Sequence, residues 1–187
     1  VDSVRAARGG ESTLLIDAGD TIQGTSLTDY FANTEPITET GEIHPMAAAM
    51  NSMGYDAAAL GNHEFNYGLD MLREFEGQLD FPLLGANAVD AATDKPAFTP
   101  YIIKTVKTKG NKPVKVGILG LTNPGVAIWD KNNVDGKLEF PGIVEQAQKY
   151  VPEMKARGAD VVVVSSHSGT SGTSSYGDDL PLENAST

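Results

Sequence analysis

Short apolar runs alternate with segments of helical periodicity along most of this chain, and that alternation is what most limits its possible folds. Brief apolar runs bounded by turn residues read as buried strands, and apolar residues three and four apart read as helices laid against them. The strand candidates are Thr13 to Asp17, Ala57 to Leu60, Phe81 to Leu84, Tyr101 to Val106, Val114 to Leu121 and Val161 to Val164. Lys109-Gly110-Asn111-Lys112 reads as the hairpin turn between the fourth and fifth. Pro45 at a first helical position follows His44, which reads as a helix cap or a turn residue. Met46, Ala49, Met50 and Met53 then recur at helical spacing as core filler, and Gly54 closes the helix. Leu69, Leu72, Phe75 and Leu79 carry a second helix. A third runs from about Ile143 to Arg157, with Gly158 as its stop and Pro152 predicting a kink or a split. The pattern as a whole is that of an α/β domain.

The 187 residues suit one domain or slightly more. Acids outnumber bases 25 to 14, for a net charge of −11. This argues against a nucleic-acid polymer as partner and against polybasic docking on anionic membranes, both of which need a basic surface. No apolar run approaches the roughly 20 residues of a membrane span. With no cysteine, disulfides, thiolate metal sites and cysteine nucleophiles are excluded. Val1 to Arg5 reads like the middle of a helix, so the chain is expected to be a piece of something longer.

The informative observation is where the polar residues fall. Three apolar runs stop at Asp20, at Asn62-His63 and at His167, beside Gly19, Gly61 and Gly169. In open α/β sheets, sites form beyond the carboxyl ends of strands, and glycines there let backbone and ligand approach closely. One carboxylate, one amide and two imidazoles can therefore converge, although only the fold can bring such distant residues together. Oxygen and imidazole donors without thiolate suit Mn, Fe, Zn, Co or Mg. A carboxylate such as Asp20 can bridge two ions, and paired ions are a common device for phosphate-ester hydrolysis.

Taken singly, each residue has a plainer reading. Asp20 after a strand can cap the next helix, Asn62 can be a turn residue, His167 a structural imidazole, and His63-Glu64 a surface pair. Asp17 reads as a loop anchor rather than a ligand, Asn87 as a turn residue. Ser168 to Gly177 reads as a loop, either plain surface or the rim of a site, and Asp178 and Asp179 as solvated acids. There is no G-x-x-x-x-G-K-[ST] loop, no G-x-G-x-x-G fingerprint and no G-x-S-x-G elbow.

Longer strings narrow the choice. Gly19-Asp20-Thr21-Ile22-Gln23-Gly24, Gly61-Asn62-His63-Glu64-Phe65-Asn66-Tyr67-Gly68 and Ser166-His167-Ser168-Gly169 resemble the second, third and fourth signature blocks of the calcineurin-like metallophosphoesterases, in their secreted nucleotidase branch. His44-Pro45-Met46, Gly54-Tyr55-Asp56-Ala57, Trp129-Asp130-Lys131 and Tyr150-Val151-Pro152-Glu153-Met154-Lys155 resemble the bacterial 2′,3′-cyclic-nucleotide 2′-phosphodiesterase/3′-nucleotidases in particular. The resemblance implies an α/β/β/α sandwich of two mixed sheets, incomplete at both ends. It implies a hydrolase acting on 2′,3′-cyclic nucleotides and 3′-nucleotides, with two divalent metal ions (Mn, Zn, Fe, Co or Mg). Asp20 bridges the metals in that reading, Asn62 and His167 complete one shell, and His63 faces the scissile phosphate as acid or charge stabiliser. Residues 1–187 then form a partial catalytic domain. It lacks the family's first Asp-x-His and last Gly-His-x-His blocks and the C-terminal nucleotide-binding domain. An extracellular, periplasmic or cell-wall location follows from the family alone. Two alternatives stand beside this: a 5′-nucleotidase, and a non-catalytic fragment or binding module with at most one loosely held metal.

Overall fold

The computed structural model describes residues 1–108, 110 and 112–169. Among these residues the strands are β1 (Ile16–Asp17), β2 (Ala57–Ala59), β3 (Leu83–Leu84), β4 (Val89–Asp90), β5 (Lys95–Pro96), β6 (Tyr101–Val106), β7 (Val114–Leu121), β8 (Leu138–Glu139) and β9 (Val161–Ser166). The α-helices are α1 (Asp2–Arg8), α2 (Ser26–Asp29), α3 (Ile37–Thr40), α4 (Pro45–Met53), α5 (Leu69–Gly77), α6 (Val126–Trp129), α7 (Lys131–Val134) and α8 (Ile143–Ala156).

Two three-stranded sheets position the site. The first has the order β1-β2-β3 and is parallel, with Ile16 opposite Ala57 and Ala58 opposite Leu83. The second has the order β6-β7-β9 and is mixed: β6 pairs antiparallel to β7, and β9 parallel to it with Leu121 opposite Ser166. Their inner faces share one apolar cluster, in which Ala57 and Leu84 meet Val116 and Ile118, with Ile16 and Val163 at its margin. The run Val116 to Leu121 in β7 is buried throughout, as a strand covered on both faces must be.

Helices close the two outer faces. Met50 of α4 and Leu72 of α5 pack with Ala58, Leu60 and Leu83 of the parallel sheet. Ile143, Tyr150 and Met154 of α8 pack with Leu119 and Leu121 of β7. The layer order is helix, sheet, sheet, helix, as the resemblance implies. Each fully buried side chain of this size contributes on the order of 1.5–3 kcal/mol.

Several local expectations hold and others are corrected. His44 caps α4, its Nδ1 accepting from the Met46 amide at 3.2 Å, and Gly54 ends the helix in the left-handed region. Met50 of the methionine stripe is buried, but Met53 is 39% exposed and fills no core. Pro152 does not split α8, which runs unbroken through it. One forgone bond to a carbonyl four residues back is outweighed by the apolar face the helix buries. Strands β4, β5 and β8 form a small antiparallel sheet absent from the sequence reading. At two residues each they carry no periodicity to detect. The expected hairpin joins β6 and β7, but Lys109 and Asn111 of its turn lie outside the described residues. So do residues 170–187, which hold most of the expected Ser168 to Gly177 loop and both Asp178 and Asp179.

Candidate active site

Beyond β1 and β2 the chain makes two turns that interlock. A Cβ on Gly19 would fall 2.2 Å from the Gly61 amide nitrogen, and one on Gly61 would fall 2.3 Å from Oδ1 of Asp20. Only glycine fits at either position. Glu64 locks the turns together. Its carboxylate accepts from the Gly61 amide at 2.6 Å, the Asp20 amide at 2.8 Å and the Thr21 amide at 2.5 Å. It is 1% exposed, so it is not part of a surface pair, and burial pushes its pKa up against the pull of the three amides. The clamp holds Asp20 at φ +64°, a left-handed conformation that a non-glycine residue adopts at a cost.

The mixed sheet supplies the third residue. Ser165 Oγ donates to the Asp17 carbonyl at 3.2 Å, and the His167 amide donates to the Leu121 carbonyl at 2.8 Å. The first bond brings the carboxyl end of β9 against that of β1, and the second ties it to the end of β7. His167 Nδ1 lies 2.7 Å from the Ala18 carbonyl oxygen, which only accepts, so Nδ1 carries a proton. Nε2 then faces Oδ2 of Asp20 at 3.0 Å. A neutral ring of this tautomer would set a nitrogen lone pair against a carboxylate oxygen. The contact therefore requires a positive charge between them or on the ring. In the bare protein a proton serves. The Asp20 hydrogen bond raises the His167 pKa against the burial that lowers it. Burial pushes the Asp20 carboxyl up, but His167 and the His63 amide outweigh it and hold it below the ordinary range.

The same arrangement fits a divalent cation. An imidazole whose Nδ1–H is pinned to a backbone carbonyl is the usual form of a histidine ligand, with Nε2 as donor. Among the described residues, no group of three or more His, Asp or Glu side chains is gathered for an ion. Asp20 and His167 thus form a two-donor nucleus of oxygen and nitrogen.

The other predicted residues lie around this pair. The His63 amide donates to Oδ1 of Asp20 at 2.9 Å. Asn62 stands between Gly61, where an added Cβ would meet the Asp20 carboxylate, and His63, whose amide donates to it, and its side chain makes no capping bond to the turn it opens. Asp17 anchors the loop as expected, Oδ1 accepting from the Gly19 amide at 2.8 Å. Asn87 is not a plain turn residue. It is fully buried, with Oδ1 accepting from the Thr122 amide at 2.9 Å and Nδ2 donating to the Thr122 carbonyl at 2.8 Å.

Two further residues bear on the site. Asn66 Oδ1 lies 2.6 Å from His63 Nδ1, and its Nδ2 donates to Asp130 Oδ1 at 2.7 Å. Burial pushes the Asp130 carboxyl up, with the Asn66 hydrogen bond opposing. Neither residue was assigned a role from its neighbours in sequence.

No family model matches the sequence. The chain is 46% identical to the 2′,3′-cyclic-nucleotide 2′-phosphodiesterase/3′-nucleotidase of Salmonella typhimurium, over 90% of this chain and 26% of that protein. It is 31% identical to the 5′-nucleotidase of Vibrio cholerae, over 97% of this chain and 31% of that protein. Among solved structures it is similar to the calcineurin-like phosphoesterase YfkN of Bacillus subtilis, with a TM-score of 0.82 and 37% identity over 96% of this chain and 55% of that one. The chain spans about a quarter of the length of the first of these relatives.

Proposed function

The chain belongs to the calcineurin-like phosphoesterases, and on that premise we propose that it is a catalytic-domain segment of a metal-dependent hydrolase of 2′,3′-cyclic nucleotides and 3′-nucleotides. The observation that carries this reading is the contact of His167 Nε2 with Asp20 Oδ2 at 3.0 Å, with Nδ1 held by the Ala18 carbonyl. In it Asp20, His167 and the Asn62 amide would hold divalent cations, together with ligands from outside these 187 residues. Divalent cations bound there supply the Lewis acidity on which phosphoester hydrolysis draws, two of them being a common set. His63 keeps Nδ1 on Asn66 and presents Nε2 to the leaving oxygen, to which it delivers a proton. Export from the cytoplasm belongs to the same reading. Among the described residues no helix is long and apolar enough to cross a membrane.

The higher identity to the cyclic-nucleotide enzyme, 46% against 31% for the 5′-nucleotidase, favours the first substrate class. A non-catalytic module with one loosely held metal is the second reading, favoured by the two-donor nucleus. The test is to purify the product of the whole reading frame containing this segment, measure its metal content, and assay it with 2′,3′-cyclic AMP, 3′-AMP and 5′-AMP. Two tightly held ions per chain and chelator-sensitive hydrolysis of the first two substrates are expected. Hydrolysis of 5′-AMP alone assigns the 5′-nucleotidase class, and no chelator-sensitive hydrolysis of any substrate overturns the enzyme reading.

A further inference from the structure

Asp130 opens α7 at the position where an aspartate ordinarily caps its own helix, yet its side chain makes no capping bond. The carboxylate is 6% exposed and is spent on Asn66 instead. Oδ1 accepts from Asn66 Nδ2 at 2.7 Å, and Oδ2 is buried without a partner. A buried carboxylate turned away from the amides it could cap needs a reason.

Docking α7 onto the turn at His63–Phe65 is not that reason. Asn133 already does it, its Nδ2 donating to the Phe65 carbonyl at 2.9 Å and the Asn66 carbonyl at 3.0 Å. What Asp130 does settle is the orientation of the Asn66 side-chain amide. An ionised carboxylate only accepts, so the NH2 end must face it and the carbonyl end must face His63. Asn66 Oδ1 then accepts from His63 Nδ1 at 2.6 Å. Were the amide reversed, its NH2 would face Nδ1. That orientation demands a bare Nδ1, places the proton on Nε2, and is incompatible with a doubly protonated ring.

We propose that Asp130 is a positioning residue that acts through Asn66, fixing the amide so that the His63 proton resides on Nδ1 and Nε2 is left to exchange with substrate. The proposal deepens the reading of His63 as proton donor and rests on it only for its kinetic consequence. The juxtaposition Asp130–Asn66–His63 stands independently of that reading.

The test has two arms. In the 187-residue chain, the proton on the His63 ring nitrogens is assigned by two-bond proton–nitrogen correlation. The wild type is expected to carry its proton on Nδ1. Asp130→Leu, of similar size without an acceptor, is expected to shift the population toward Nε2–H. The exchanged pair Asn66→Asp with Asp130→Asn, which keeps an acceptor on Nδ1 and a bond between the two positions, is expected to restore Nδ1–H. A wild type with Nε2–H overturns the proposal. So does a tautomer unmoved by Asp130→Leu. If Asp130→Leu does not fold, the wild-type tautomer decides, since it needs no variant.

In the full-length hydrolase, Asp130→Leu is expected to lower kcat about 10- to 100-fold with KM unchanged, a range usual for a partner that orients a reacting group. The exchanged pair is expected to recover most of that loss. A purely structural role would lower the melting temperature and leave the tautomer where it was, which overturns the proposal. A tautomer that moves while kcat does not supports the positioning of His63 and overturns its assignment as proton donor.

Discussion

His167 Nε2 stands 3.0 Å from Asp20 Oδ2, although one residue follows a strand of the mixed sheet and the other a strand of the parallel sheet. The two sheets meet there because Ser165 and His167 both hydrogen bond to the carbonyls that follow Ile16 in the chain, at Asp17 and Ala18. Asp20 is the chief cause of the raised His167 pKa. Asp20→Asn removes that charge, so the His167 pKa is expected to fall, as followed by NMR titration of its ring protons. In the full-length protein the same change, or Asp20→Ala, is expected to abolish the proposed hydrolysis. A variant that keeps wild-type turnover would remove Asp20 from the proposed metal-holding residues.

Glu64 ties three amides from two loops with one carboxylate. Glu64→Gln replaces one acceptor oxygen with a donor, and at least one of the amides is then left buried and unpaired. An unsatisfied buried group costs about 1–3 kcal/mol, more where the lost acceptor was charged. Urea denaturation is expected to show a loss of about 2–4 kcal/mol. Because the amides belong to Asp20, Thr21 and Gly61, amide exchange at these residues is expected to quicken more than in β7. Uniform quickening across the fold would mean that Glu64 does not act locally.

The meeting of these strand ends was legible in the sequence, and the reasons are physical. Asp20, Asn62 and His167 announce themselves because each ends an apolar run beside a glycine, and a strand end is where such a sheet exposes its polar groups. The long helices α4, α5 and α8 were legible for the same kind of reason, since each carries an apolar stripe. Glu64 was given no role because a lone acid is usually solvated. Its spacing from Gly61 is that of a capping box, in which a glutamate reaches back three residues to a backbone amide, and that signal could have found it. Asp130 left no such trace. Its partner Asn66 lies 64 positions away, and only the docking of α7 on the turn before α5 brings them together.

His63 touches Asp20 through its backbone amide, and its ring is engaged by Asn66. The ring therefore contributes nothing to holding cations in the proposed reading. His63→Ala in the full-length protein is expected to lower kcat of the proposed hydrolysis by about 10²- to 10⁴-fold, the usual weight of general acid catalysis. Metal content by elemental analysis is expected to stay at the wild-type level, and removal of the metal by chelator is expected to abolish what activity remains. Loss of metal together with activity would make His63 a ligand instead.

His44 gives the fold an acid limit that is independent of the site. Its ring is fully buried between Phe31 and Phe75, with Nδ1 spent on the Met46 amide and Nε2 without a partner. Burial pushes its pKa down to about 4. In the unfolded chain the ring titrates near 6.5. Above that value neither state binds the proton, and the stability of the fold is undiminished. Between the two values the unfolded chain takes up a proton that the folded one refuses, so stability falls as pH falls, and the loss is complete below about 4. The difference in pKa corresponds to about 3 kcal/mol at about 1.4 kcal/mol per unit. His44→Asn keeps a capping side chain at the start of α4 and removes the titration. Denaturation midpoints measured from pH 7 to pH 4 are expected to fall more steeply for the wild type than for this variant. Parallel curves would mean that His44 is protonated inside the fold.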